Sequence, residues 1–318
     1  MTSDHPEHPP EAPVITTTGL SMDFGRVMAL HELTLSIGPG VTGLVGANGA
    51  GKSTLIKILL GLQTPTAGTA TVLGHDVARE ADRIRALVGY MPEHDCLPPD
   101  VTASEFVVHL ARMSGLPAAP ARERAADTLR IVGLDEERYR LLGGYSTGMK
   151  QRAKLAQALV HHPSLVFLDE PTNGLDPASR LDMLRLVRRI STDFKIPVLV
   201  TSHLLGELER VSDHVVVLDA GVLLRSSATS QFLEGTGATI VEVLGGTVER
   251  DQLGNALAAT GLRCHPRGTK VRIDTPPPGV DVHRLVRDTV TDLDLALVRI
   301  EPDHGHLEDV FTQGAHRV

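Results

Sequence analysis

The stretch Val41-Thr42-Gly43-Leu44-Val45-Gly46-Ala47-Asn48-Gly49-Ala50-Gly51-Lys52-Ser53-Thr54-Leu55-Ile56-Lys57-Ile58-Leu59-Leu60 decides how the rest of the chain is read. Its short apolar run, Val41 to Val45, reads as a buried strand, and Ser53 to Leu60 as a buried helix. Between them, Gly46 to Ser53 fills every fixed position of G-x-x-x-x-G-K-[ST]. Strand, glycine-rich loop and helix in that order make a phosphate cradle. The glycines let backbone N–H groups turn inward, and the helix aims its positive dipole end at the same charge. Gly46, Asn48, Gly49, Ala50, Gly51, Lys52, Ser53 and Thr54 are the residues expected around a nucleotide. Within that set, Lys52 is expected on the β- and γ-phosphates and the Ser53 hydroxyl on Mg²⁺.

Working outward, three more apolar runs read as strands buried on both faces: Leu165 to Leu168, Val198 to Val200, and Val215 to Leu218. Helical segments separate them, which predicts an α/β domain whose ligands gather beyond the carboxyl ends of the strands. Asp169 and Glu170 follow one such end. Asp169 suits the Mg²⁺ shell and Glu170 suits the polarisation of a water that attacks a γ-phosphorus. Ahead of the cradle, Val14 to about Ile37 reads as an antiparallel β layer. From about Val101 to Val160 the chain is helix-rich and reads as an inserted helical subdomain.

The bulk properties exclude several functions. A net charge of -8 offers no basic footprint for a phosphate backbone, so no nucleic acid partner is expected. Cys96 and Cys264 are far apart and lack zinc-site spacing, which reads as reduced thiols. No apolar run reaches the ~18 to 20 residues that a membrane span needs, and MTSDHPEHPPEAP is acidic and proline-rich rather than a signal peptide. A cytoplasmic chain with a disordered tail at 1–13, carrying His5 and His8, is the expectation.

Tyr145-Ser146-Thr147-Gly148-Met149-Lys150-Gln151-Arg152 resembles the signature of ABC-transporter ATPases, usually written LSGGQ, and stands one helix before Asp169-Glu170. Physically, Ser146 is a good N-cap, and with Gly148 the first turn offers a second anion-binding helix end. The resemblance continues in order: Gly174-Leu175-Asp176 is similar to the D-loop, and His203 to the switch histidine. It covers roughly Val14 to Arg225. What it implies is ATP hydrolysis with Mg²⁺, by two chains that sandwich two nucleotides head to tail. Ser146, Gly148 and Asp176 then complete the partner's site, His203 contacts the γ-phosphate or orients the water of Glu170, and Phe24 stacks on adenine. Tyr145, Thr147 and Met149 depart from the usual signature. So does Glu93, which stands after Tyr90-Met91-Pro92 where the family has Gln. An oxygen for Mg²⁺ is kept, and a negative charge is added beside the phosphates.

After about Ser226 the texture changes. β-like Thr239 to Leu244, helical Arg250 to Ala259, β-like Leu262 to His265 and Lys270 to Asp274, helical Val282 to Val290 and β-like Leu295 to Ile300 give βαββαβ, compatible with a small ferredoxin-like sandwich. The expected divisions are 14–225 for the nucleotide-binding domain and 226–318 for a small α+β domain. Leu307-Glu308-Asp309-Val310-Phe311 resembles the tails of drug-resistance exporters of the daunorubicin-resistance, ABC-2 type. That resemblance implies a homodimer on the inner face of the cell membrane and a separate permease, docked near the Glu93 loop and the helical subdomain. Export of a drug-like, lipid or other small molecule follows from the same likeness. The competing reading is a soluble ABC ATPase acting on ribosomes or DNA, and it lacks the expected second fused nucleotide domain or long coiled-coil insertion.

Overall fold

Runs of four or five apolar residues, too short for helices, build the central sheet. The computed structural model describes residues 12–233, 238–277 and 280–303. The proline-rich tail with His5 and His8, and the segment Leu307 to Phe311, lie outside these residues. The chain divides into two compact units, Met1–Thr229 and Ser230–Val318.

The first unit runs β1 (Ile15–Asp23), β2 (Met28–Ile37), β3 (Val41–Val45), α1 (Lys52–Leu59), β4 (Ala67–Val72), β5 (His75–Asp76), α2 (Ala81–Leu87) and β6 (Val88–Met91). There follow α3 (Ala103–Met113), α4 (Ala118–Ile131), α5 (Thr147–Leu159), β7 (Leu165–Leu168), α6 (Pro177–Phe194), β8 (Val198–Ser202), α7 (Leu205–Val211), β9 (His214–Asp219) and β10 (Val222–Ala228). A short helix, α8 (Thr229–Leu233), begins at the last residue of this unit.

Two sheets form: an antiparallel layer in the order β2-β1-β4-β5, and a six-stranded sheet in the order β10-β9-β3-β8-β7-β6. In the second, β9 through β6 pair in parallel and β10 joins antiparallel. Register positions the chemistry. Val45 pairs with Ser202, Leu168 with Val200, and Met91 with Leu168. The residues that follow these ends, Gly46, His203, Asp169 and Pro92, therefore emerge at one sheet edge, where parallel sheets bind ligands. Helix α1 buries Leu55, Ile56, Ile58 and Leu59 between the sheets' side chains. Each such side chain contributes about 1.5–3 kcal/mol, which fixes the cradle to the core.

Four strands of this unit, β4, β5, β6 and β10, gave no signal in the sequence. Tyr90-Met91 ends β6, because pairing of Val88–Met91 with Leu165–Leu168 supplies hydrogen bonds that so short a run does not advertise. The change of texture at Ser226 falls inside β10, which stays paired with β9 as far as Ala228 against His214. The helical subdomain contains α3, started by a reciprocal cap between Thr102 and Glu105, then α4 and α5.

The second unit contains β11 (Thr239–Val243), α9 (Thr247–Ala259), β12 (Cys264–Arg267), β13 (Lys270–Ile273), α10 (Val282–Asp292) and β14 (Leu297–Pro302). Its antiparallel order β12-β13-β11-β14 is that of a ferredoxin-like sandwich. Val241, Val243, Val271 and Ile273 of the sheet meet Leu253, Leu257 and Val286 of the helices in its core.

Burial holds His161, His162 and His214 below the ordinary histidine pKa, and Arg124 adds to the effect at His162. His161 Nε2 lies 3.0 Å from the Val88 carbonyl oxygen, so its neutral form donates there. A folded-state pKa below the unfolded one gives stability that is present above about pH 6.5 and lost as the pH falls through the folded value. Calorimetric Tm is therefore expected to drop between pH 7.5 and 5. His161→Gln, which keeps a donor toward Val88, should flatten that slope, and an unchanged slope would remove His161 from the account.

Candidate functional site

The loop after β3 turns through Gly49 at φ 85° and Gly51 at φ 99°, a left-handed region that favours glycine. At Gly51 space is also short: a Cβ would stand 2.5 Å from the Ala29 carbonyl oxygen. Asn48, Gly49, Ala50, Gly51, Lys52, Ser53 and Thr54 line a cleft of about 650 Å³ together with Glu93, Asp169, Glu170 and His203. No side chain caps α1, and its first turn belongs to that lining. Gly46 lies just behind, its carbonyl accepting from Lys52 Nζ at 2.6 Å, while the Ala47 carbonyl accepts from the same atom at 3.3 Å.

The acidic pair is held by tertiary contacts. Thr201 Oγ1, at the end of β8, donates to Asp169 Oδ1 at 2.8 Å and accepts from the Glu170 backbone N–H at 2.9 Å. Glu170 has φ 50°, a left-handed backbone that costs about 1–3 kcal/mol for a residue with a side chain. The fold sustains that strain and aims the buried carboxylate between two cations or donors: Oε1 is 3.9 Å from Lys52 Nζ, and Oε2 accepts from His203 Nδ1 at 2.8 Å. Since an ionised carboxylate only accepts, this contact assigns the imidazole proton to Nδ1 and leaves Nε2 for the cleft. Burial first, and then the Asp169 carboxylate, push Tyr90 up to about 12. Its phenol stays protonated behind Asp169.

Several residues of this site gave no signal in the sequence. Asn173 lines the cleft and its Nδ2 donates to Glu93 Oε1 at 3.3 Å. Gln151 Nε2 in turn donates to the Asn173 carbonyl at 3.0 Å. Lys154 Nζ donates to the carbonyls of Pro92, Glu93 and His94. Burial lowers the pKa of Lys154 from its ordinary value, against the opposing fields of Cys96, Asp95, Glu93 and Asp169.

Other expected residues stand apart from the cleft. Phe24 is 53% exposed on the turn between β1 and β2 and is not among the lining side chains. That turn is closed by the Phe24 N–H on the Val27 carbonyl, and Val27 and Ala29 of the same segment line the cleft. Ser146 caps α5 by accepting from the Met149 N–H, and Asp176 caps α6 by accepting from the Ala178 and Ser179 N–H groups. Hydrogen bonding from Ser179 holds the Asp176 carboxyl below the usual range. Neither cap, nor Gly148, lines the cleft of its own chain.

A family model described as ABC transporter matches residues 30–173. Over 273 residues the chain is 36% identical to the daunorubicin/doxorubicin resistance ATP-binding protein DrrA of Streptomyces peucetius, covering 84% of this chain and 82% of that protein. The chain belongs to the ABC transporter ATP-binding proteins. It is also 37% identical over 212 residues to the bacitracin transport ATP-binding protein BcrA of Bacillus licheniformis, covering 66% of this chain and 68% of that one. Among solved structures, an ATP-binding subunit of an ABC transporter shares 28% identity at a TM-score of 0.61, covering 70% of this chain and 92% of that one. A dimeric ATP-binding cassette in a post-hydrolysis state with ADP and Pi aligns at a TM-score of 0.62 with 23% identity, covering 68% and 98%, and shares the fold. This ABC protein is thus an ATP-binding and ATP-hydrolysing subunit of a transporter. Among the described residues no helix is long and apolar enough to cross a membrane.

Proposed function

We propose that two copies of this ABC protein bind two ATP molecules with Mg²⁺ between them and drive export through a separate membrane-spanning permease. The observation that carries the reading is Glu170, a buried carboxylate set between Lys52 and His203 at the mouth of an uncapped phosphate-loop helix. Lys52 holds the β- and γ-phosphates, as a charge-assisted donor should. Glu170 accepts a proton from the attacking water, and His203, fixed by its Nδ1 contact, presents Nε2 toward the γ-phosphate.

The donor set fits Mg²⁺. Among the described residues no three His, Cys, Asp or Glu side chains form a cage. Ser53, Asp169 and Glu93 offer a few oxygens, which suits a cation that keeps its waters and shares phosphate oxygens. When bound, it neutralises charge on the phosphates. Thr201 keeps Asp169 aimed for that contact.

Ser146, Gly148 and Asp176 serve the partner's nucleotide. In support, a Cβ at Gly148 would meet nothing nearer than 3.8 Å inside its own chain, so the fold of one chain does not require glycine there. Two copies arranged head to tail bring the first turn of α5 to the other cleft. The named relatives serve daunorubicin, doxorubicin and bacitracin, which supports a drug-like, lipid or other small-molecule cargo. The chain then works as a peripheral protein on the inner face of the cell membrane.

Co-expression with its multi-span permease tests this reading. The chain should move to the membrane fraction only when the permease is present, and reconstitution should stimulate its ATPase severalfold. Equal ATPase rates and equal fractionation with and without a membrane partner would overturn it.

A further inference from the structure

The loop that carries Glu93 is held by one helix at both its backbone and its side chain. Lys154 is 3% exposed on α5, and its ammonium donates to three successive carbonyls: Pro92 at 2.7 Å, Glu93 at 2.8 Å and His94 at 3.4 Å. Three carbonyls in a row turned toward one atom make the geometry of a cation site. The neighbouring acid, Asp95, pairs instead with Lys150 at 2.9 Å. One turn before Lys154, Gln151 donates to the carbonyl of Asn173, whose amide donates to Glu93 Oε1. A single helix therefore fixes the carbonyl of Glu93 through Lys154 and its carboxylate through Gln151 and Asn173.

Glu93 also raises an electrostatic problem. Asp169, Glu170 and Glu93 line the same cleft into which phosphates must enter. A neutral amide at position 93 would add no repulsion, whereas a carboxylate needs a counter-charge near enough to act in a poorly solvated place. Lys154 is a cation whose nitrogen touches the residue's own backbone. A neutral donor could cap loop carbonyls, but three carbonyls together beside an acidic cleft favour a positive charge.

We propose that Lys154 is a positioning residue that holds the Glu93 loop at the nucleotide cleft and supplies the counter-charge that permits a carboxylate at position 93. The inference rests on the reading of Glu93 as an oxygen for Mg²⁺. Because Ser146 caps α5, the helix also ties the segment offered to the partner's nucleotide to the metal side of the chain's own cleft.

A mutant cycle on the full-length chain decides it, using Lys154→Met, Glu93→Gln, the double variant, Lys154→Arg and Glu93→Ala. Half-saturating Mg²⁺ is read from ATPase rate. Independently of turnover, Mn²⁺ binding with a non-hydrolysable ATP analogue is read by electron paramagnetic resonance. Lys154→Met should weaken metal dependence about 10-fold or more in both readouts, the size expected when a residue supporting a metal ligand is lost. Lys154→Arg should shift it less than about threefold, and Glu93→Gln alone likewise, because charge balance is kept in the one and relieved in the other. In the Lys154→Met background, Glu93→Gln should recover most of the loss, a non-additivity that marks direct coupling. If Lys154→Met does not fold, Lys154→Gln, which keeps a donor, takes its place in the cycle. Additive effects, or a lowered Tm with wild-type metal dependence, would overturn the role of Lys154. A Glu93→Ala curve that coincides with wild type would instead sink the reading of Glu93 itself, whatever Lys154 does.

Discussion

Glu170→Gln should lower ATP turnover about 1,000-fold while leaving ATP bound and the chain dimeric, because a general base typically supplies 10²–10⁴-fold. The amide has the shape of the carboxylate and can still accept from His203 Nδ1 through its oxygen, so the 2.8 Å contact survives. It has no basicity with which to take a proton from water. Loss of the negative charge 3.9 Å from Lys52 also leaves that ammonium freer to face phosphate. ATP affinity should therefore be kept or rise, and hydrolysis should fail. Steady-state ATPase assays with light scattering in ATP check both halves. Monomers in ATP together with turnover within tenfold of wild type would remove Glu170 from the role of base.

Lys52→Ala should lower ATP affinity about 10- to 100-fold, since a hydrogen bond to a charged group contributes about 1.5–3 kcal/mol. The residue is 7% exposed and sits on its own loop carbonyls, so its charge is already placed before the phosphates arrive. Turnover should fall below detection. Ser146→Arg should also be inactive, for a different reason: it places a large cation at the helix end proposed to meet the partner's nucleotide. Mixing the two inactive chains makes the composite nature of the site measurable. Random pairing gives half mixed dimers, each with one intact site, so about a quarter of wild-type activity should return if the sites act independently. No recovery in confirmed mixed dimers would argue against a composite site or for strict coupling of the two.

The proposed counter-charge at Lys154 shows where sequence reading stops. Residues 93 and 154 are separated by the whole of α3 and α4, and nothing in the local pattern of α5 distinguishes Lys154 from a solvated lysine. Thr201 is similar: it follows Val200 in an apolar run and reads as one more strand residue. Only the register of β8 beside β7 brings its hydroxyl to Asp169 and the Glu170 N–H. Phe24, an aromatic ahead of the cradle that matches a family position, stands exposed on its turn, and the tertiary structure adds Val27 and Ala29 of the same segment to the cleft lining.

What the sequence by itself determined was whatever is local: the phosphate loop with its glycines, the N-cap at Ser146, the acidic pair ending an apolar run, and the βαββαβ order of the second unit. Each depends on residues within a few positions of one another, where backbone sterics, helix-end amides and the period of burial act directly. The tertiary structure decided what depends on distant segments meeting. It set the order of strands in each sheet, the left-handed backbone of Glu170 between Lys52 and His203, and the grip of α5 on the Glu93 loop. Those contacts form only once the parallel sheet has placed its strand ends at one edge, and the free energy that maintains them comes from the whole packed core.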